Sequence, residues 1–117
     1  MKNKSITVYG IPNCDSVKKA RTWLADQGMA FDFHDFKKQG VPEAELGRWV
    51  AAAGWETVLN RKGTTWRKLD AAAQAAVVDS ASAQALMLSQ ASAIKRPVIA
   101  WPSGQITVGY TPEQWPA

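Results

Sequence analysis

The stretch YGIPNCDSVKKARTWL, Tyr9 to Leu24, holds the single cysteine of this 117-residue chain, Cys14. A thiolate attacks oxidised sulfur or an oxyanion centre when its surroundings favour the ionised form. Gly10, Pro12 and Asn13 make a turn ahead of Cys14, and Asp15 or Ser16 stands where it could cap a following helix. The sulfur is then expected at or just before the first helical turn, in a loop and off the core stripe. The first helical N–H groups lack intrahelical acceptors, and the positive end of the dipole lies with them. Asn13, Asp15, Ser16 and Val17 are therefore expected to offer a substrate backbone amides more than side chains.

Magnitudes decide what else the site needs. A helix dipole contributes about 0.3–1 kcal/mol at an exposed site. A cation at about 6 Å, with an effective dielectric near ~20, contributes about 2.8 kcal/mol, roughly a hundredfold in acidity. A nearby arginine or lysine thus outweighs the helix. Lys18, one turn on, is one candidate. Arg96 is the other, because it precedes Pro97 and a residue before proline is held extended. Asp15 opposes ionisation unless it turns into the cap. With no second cysteine to resolve an adduct, an external thiol must do so, and glutathione is the natural donor. His34, the only histidine, would have to reach the cysteine loop to serve as a base; otherwise it is a solvated residue at a strand end. Trp66 and Trp101 are expected to pack, although Trp66 neighbours the basic run at Arg61–Lys62.

The elements that must position these groups follow from spacing. SITVY, Ser5–Tyr9, is β-branched and is expected to form a strand closed by Gly10 and Pro12. Val17, Ala20, Arg21 and Leu24 lie on one stripe of a helix over about 15–27, with Arg21 burying only its stem and Gly28 as the stop. FDFHDF, Phe31–Phe36, alternates as a half-buried strand. Together these make a βαβ unit with parallel strands. Pro42 opens a helix whose face carries Leu46, Trp49, Val50 and Ala53 and which ends at Gly54. Further helices are expected over 64–68, 70–79 and 82–89, with Val77, Val78, Leu86 and Leu88 as packing residues. Pro97–Trp101 and Gln105–Val108 form a hairpin around Pro102-Ser103-Gly104. Thr111-Pro112-Glu113 opens a terminal helix. The order alone gives an α/β or α+β sandwich, a small mixed sheet with helices on its faces. With the cysteine at its strand-to-helix loop it matches an α/β thioredoxin-like plan, a mixed four-stranded sheet with a central helical insertion. In that plan the loop carrying Pro97, often cis, lies beside the cysteine loop. The expected division of the single domain is a core over about 1–40 and 93–117, with the insertion over about 41–92.

Composition narrows the alternatives. Forty-six per cent apolar residues support a core. No apolar run reaches the ~18 residues of a membrane span, and the short, interrupted N-terminal apolar stretch is no secretory h-region, so no membrane association is expected and the cytoplasm is the expected compartment. One cysteine excludes an internal disulfide. One cysteine and one histidine make a poor metal site. The net charge of +4 is dispersed in small clusters, so no nucleic-acid partner is expected.

Three ordered motifs, YGIPNCDSVKKARTWL, LNRKGTTWRKLD at Leu59–Asp70 and AIKRPVIA at Ala93–Ala100, resemble the ArsC/Spx family, and most closely its YffB-like subgroup of ArsC-related thiol reductases. The likeness runs nearly end to end. It implies a thioredoxin-like fold, no bound cofactor, a cysteine nucleophile at Cys14, and arginines for an oxyanion, with Arg96 matching the arginine before the cis-proline Pro97. It also implies reduction of arsenate or of a thiol adduct, with glutathione as electron donor. Where the subgroup reads Asn-Thr-Arg-Gly, this chain has Asn60-Arg61-Lys62-Gly63, so Arg61 or Lys62 takes the insertion position. The third arginine of arsenate reductases is replaced by Gly109-Tyr110-Thr111. Val17 stands where Spx regulators carry the second cysteine of their Cys-x-x-Cys switch. The alternative to an enzyme is a redox-inactive, Spx-like protein-binding adaptor or transcriptional regulator.

Overall fold

The computed structural model describes residues 5–116. The chain divides into two compact units, one formed by the residues up to Gly40 with those from Arg96 onward, the other by Val41–Lys95.

The first unit is built on strands β1 (Ile6–Gly10), β2 (Phe31–Asp35), β3 (Val98–Ala100) and β4 (Ile106–Val108). They form one sheet in the order β2-β1-β3-β4. β1 pairs parallel with β2, setting Tyr9 opposite His34, and antiparallel with β3, setting Tyr9 opposite Val98. β3 and β4 are antiparallel. A mixed sheet of this kind is the thioredoxin-like plan. Helix α1 (Asp15–Asp26) makes the β1–β2 crossover and buries Val17, Ala20 and Leu24. Those positions recur at three and four residues, so one stripe faces the sheet. Burying Leu24 completely contributes about 1.5–3 kcal/mol. Arg21 does more than bury its stem, since its guanidinium carbon lies 4.3 Å from the Phe33 ring centroid. Gly28, at φ 71°, ends α1 where the left-handed region favours glycine. The core gathers Ile6, Val8, Ala20, Leu24, Ile99, Trp101 and Trp115.

Three expectations for this unit are corrected. Phe36 does not extend β2 but opens a single helical turn, α2 (Phe36–Gln39), because Asp35 caps it by accepting a hydrogen bond from the Lys37 N–H at 2.9 Å. β3 begins at Val98, after Pro97, since proline has no N–H to give a ladder. The terminal helix is only a 3-10 turn, Pro112–Gln114.

The second unit contains α3 (Glu43–Ala53), α4 (Trp55–Val58), α5 (Thr64–Lys68), α6 (Ala71–Ala75) and α7 (Ser80–Ser89). Leu46, Trp49 and Val50 of α3 are buried, as are Val58, Leu59, Ala83, Met87, Ala93 and Ile94. The long helix expected over 70–79 is cut short at Ala75, with the next helix beginning at Ser80. Asp79 halts it by capping α7 in a reciprocal box with Ser82. Val78 is consequently 72 % exposed; Leu88, on α7, is 37 % exposed, and Ala83 and Met87 are the residues that α7 buries. α4, unforeseen in sequence, follows directly on Gly54. Among the described residues no helix is long and apolar enough to cross a membrane.

Candidate active site

β1 delivers the chain to a turn at Ile11–Asn13, and Cys14 takes the N-cap position of α1 with φ −103° and ψ 129°. This corrects the expectation that Asp15 or Ser16 caps the helix. No oxygen side chain fills that role, and Asp15 is exposed on the first turn. The sulfur therefore faces the amides that a hydroxyl or carboxylate would otherwise occupy. Cys14 is half-buried. Burial pushes its thiol up, but the Val17 N–H, the hydrogen bond and charge of the Arg96 guanidinium, and the Ser16 N–H together hold it below its ordinary value.

Arg96 reaches the sulfur because of how β3 begins. The Arg96–Pro97 peptide bond is cis. Pro97 is fully buried, and its carbonyl accepts the Gly109 N–H at 2.8 Å. That bond ties the start of β3 to the end of β4. On the other side, the ideal Cβ position of Gly10 is 3.8 Å from Arg96 Cβ and 2.7 Å from Val17 Cγ2. Gly10 thus lets the strand end, the helix start and the arginine meet. Sequence reasoning used Gly10 only as a turn residue; its proximity to Val17 and Arg96 depends on strand pairing and leaves no local signal.

Of the remaining candidates, Asn13 and Lys18 are exposed, Ser16 is half-buried and Val17 is buried. The Lys18 N–H donates to the Cys14 carbonyl at 2.9 Å. Arg61 and Lys62 belong to the second unit. There Asn60 Oδ1 accepts the Lys62 N–H at 3.2 Å, a local turn bond typical of asparagine. Arg61 lies 5.6 Å from the Trp55 ring centroid and 4.0 Å from the Glu56 carboxylate. Both basic residues line a pocket of about 270 Å³ with Asn60 and Lys95. Lys95 joins them because Leu59 bridges Ile94 and the Lys95 N–H donates to the Val58 carbonyl. Separation along the chain hid that neighbour from the sequence.

His34 is not a solvated strand end. Its Nε2 lies 2.8 Å from the Gly40 carbonyl and donates to it, and its ring packs 5.2 Å from Tyr9 and 6.0 Å from Phe36. Trp101 is buried and donates its indole N–H to Thr107 Oγ1 at 2.9 Å, while Trp66 is half-buried. Among the described residues no group of three or more His, Cys, Asp or Glu side chains could hold a metal ion.

The family model of the ArsC family matches residues 9–117. A solved structure of a YFFB protein is 51% identical and superposes with a TM-score of 0.87, covering 93% of this chain and 94% of that one. The solution structure of an arsenate reductase (ArsC) related protein from Brucella melitensis is 47% identical, with a TM-score of 0.74 and coverage of 97% and 93%. An uncharacterized protein of Haemophilus influenzae is 36% identical over 112 residues, 96% of each chain.

Proposed function

Because the chain belongs to the ArsC family, we propose that it is a thiol reductase of the ArsC type, using Cys14 as nucleophile and glutathione as electron donor. The observation that carries this reading is the Cys14 sulfur at the amino end of α1, where two amides and the Arg96 guanidinium favour the thiolate.

The Cys14 thiolate attacks the glutathionyl sulfur of a mixed disulfide. A sulfur–sulfur bond forms between Cys14 and glutathione, the original disulfide bond breaks, and the released thiolate takes a proton. A second glutathione thiolate then attacks the same glutathionyl sulfur. Glutathione disulfide leaves and the Cys14 thiolate is regenerated, so one mixed disulfide and one glutathione give one thiol and one glutathione disulfide. Arg96 stabilises Cys14 each time it carries charge, and a leaving group of low basicity speeds the second step. Asn13, Asp15, Ser16 and Val17 supply the backbone around the substrate, Pro97 the wall beside it, and Lys18 a further positive charge.

Arsenate is the less favoured substrate. A tetrahedral oxyanion is best met by several bidentate arginines, and Gly109-Tyr110-Thr111 occupies the stretch where the resemblance leads one to expect another. A coupled assay with glutathione, glutathione reductase and NADPH, supplied in turn with arsenate and with a glutathionyl mixed disulfide, tests the proposal. Turnover of the mixed disulfide that vanishes in Cys14→Ser supports it. Equal turnover in Cys14→Ser overturns it, and recovery of polymerase subunits by wild type and Cys14→Ala alike would favour the adaptor reading.

A further inference from the structure

The bond between Gly109 and Pro97 reaches further than the hairpin it closes. In the antiparallel register of β3 and β4, Val98 lies opposite Val108 and Ile99 opposite Thr107, so the next pair toward the site is Pro97 and Gly109. Bonded pairs alternate along such a ladder, and each ordinarily exchanges two bonds. The Trp101 N–H donates to the Gln105 carbonyl at 2.9 Å and the Gly109 N–H to the Pro97 carbonyl at 2.8 Å, which makes 97 and 109 a bonded pair. Proline has no N–H to return. A single bond therefore carries the ladder's hold on Pro97, one residue from Arg96.

Gly109 is fitted to give that bond. Its φ of 89° lies where a side chain is strained, and the residue is buried. The angle lets the chain change direction while the Gly109 N–H stays in the ladder. Beyond the turn the Tyr110 ring meets Trp115 edge-on at 5.5 Å. Trp115 is itself buried and packs on Trp23 and Trp101. Gly109 thus stands between two anchors, the aromatic cluster and the Pro97 carbonyl, and a Cβ at that angle forces one of them to give.

Arg96 shares a peptide plane with Pro97, so the two main chains move together. On its other side Arg96 Cβ is 3.8 Å from the ideal Cβ position of Gly10, at the end of β1. A hydrogen bond weakens steeply with distance and angle, so a small drift here is felt where the guanidinium meets the sulfur. Resting on the reading of Cys14 as a thiolate nucleophile, we infer that Gly109 is a positioning residue: by holding the Pro97 carbonyl it sets where Arg96 meets the Cys14 sulfur. The stretch Gly109-Tyr110-Thr111 brings the site no cation; what it brings is this main-chain bond.

The test is the pH midpoint of Cys14 alkylation in wild type, Gly109→Ala, Thr107→Val, and Arg96→Gln with and without Gly109→Ala. Gly109→Ala raises the midpoint by about half a unit to one unit, a fraction of the roughly two units that a cation at ~6 Å supplies. Thr107→Val weakens the same hairpin away from the Pro97 carbonyl and leaves the midpoint within about 0.2 unit of wild type. In the Arg96→Gln background Gly109→Ala adds almost nothing, because its effect passes through the arginine. A wild-type midpoint in Gly109→Ala, a matching rise in Thr107→Val, or an undiminished rise in Arg96→Gln overturns the proposal and leaves the reductase reading standing. Should Gly109→Ala fail to fold, amide exchange decides. Coupling is reciprocal, so at alkaline pH the Gly109 amide exchanges more slowly, relative to that of Thr107, in wild type than in Cys14→Ser. Equal ratios overturn the proposal. A wild-type alkylation midpoint at or above ~8.5 overturns the reductase reading itself, and this inference with it.

Discussion

A Cβ placed on Gly10 would lie 2.7 Å from Cγ2 of Val17, so the last residue of β1 touches the first turn of α1 through a gap that only glycine leaves. Val17 is fully buried and cannot turn aside. Its own N–H is one of the groups favouring the Cys14 thiolate. Packing at the strand end and acidity at the sulfur are thus linked through one residue.

Gly10→Ala should therefore act twice. Overpacking of this size costs about 1–3 kcal/mol, to be read as a lower midpoint in urea at unchanged slope. Pushing Val17 outward also draws its amide from the sulfur, so the pH midpoint of Cys14 alkylation should rise. A variant as stable as wild type, with the same midpoint, would mean that the contact relaxes without cost.

Arg96 favours the thiolate both by a hydrogen bond and by its charge. Removing either raises the pH at which Cys14 ionises. Arg96→Lys keeps the charge and loses the planar fork, whereas Arg96→Gln loses the charge. The alkylation midpoint should climb from wild type through Arg96→Lys to Arg96→Gln. Finding Arg96→Gln at the wild-type value would show that the two amides suffice.

Folding stability should carry the same signature. Since the folded-state value of Cys14 is depressed, the folded chain binds fewer protons than the unfolded one between that value and the unfolded value near ~8.5. Stability from this group is complete above the unfolded value and is lost as pH falls through the folded one. Unfolding free energies of wild type and Cys14→Ser, measured from pH 5 to pH 9, should diverge in favour of wild type as pH rises. Parallel curves would count against a stabilised thiolate.

How much of this was legible in the residues depended on the range of the forces involved. The stripe Val17, Ala20 and Leu24 and the stop at Gly28 are local patterns, and they located α1 to within a residue. Arg96 was found because a proline after it restricts its backbone. The identity of the cap was not legible: Asp15 and Ser16 are better capping residues than cysteine, and the path of the chain from β1 sets Cys14 one position earlier. The helix expected over 70–79 failed for a similar reason. The alanines at 71–73, 75 and 76 favour helix, but Asp79 is taken by the Ser82 amide at 2.9 Å, and that competing cap starts a new helix. Lys95 beside Lys62 depends on contacts between distant segments that no window of sequence contains.

The hairpin below the site offers a test independent of the cysteine. Trp101 is 4 % exposed and its indole N–H donates to Thr107 Oγ1 at 2.9 Å, within the hairpin whose strands lie between Pro97 and Gly109. Thr107→Val keeps the branched shape and removes the acceptor, leaving a buried donor unmade at a cost of about 1–3 kcal/mol. Thr107→Ser retains the oxygen and should cost less. In Trp101→Phe the donor itself is gone, so adding Thr107→Val to it should cost less than in wild type. Urea denaturation of the four proteins of that cycle gives the coupling directly. A coupling near zero would show that the indole gains nothing from the hydroxyl, and that aromatic packing on Trp115, whose ring centroid is 5.6 Å away, holds Trp101 unaided.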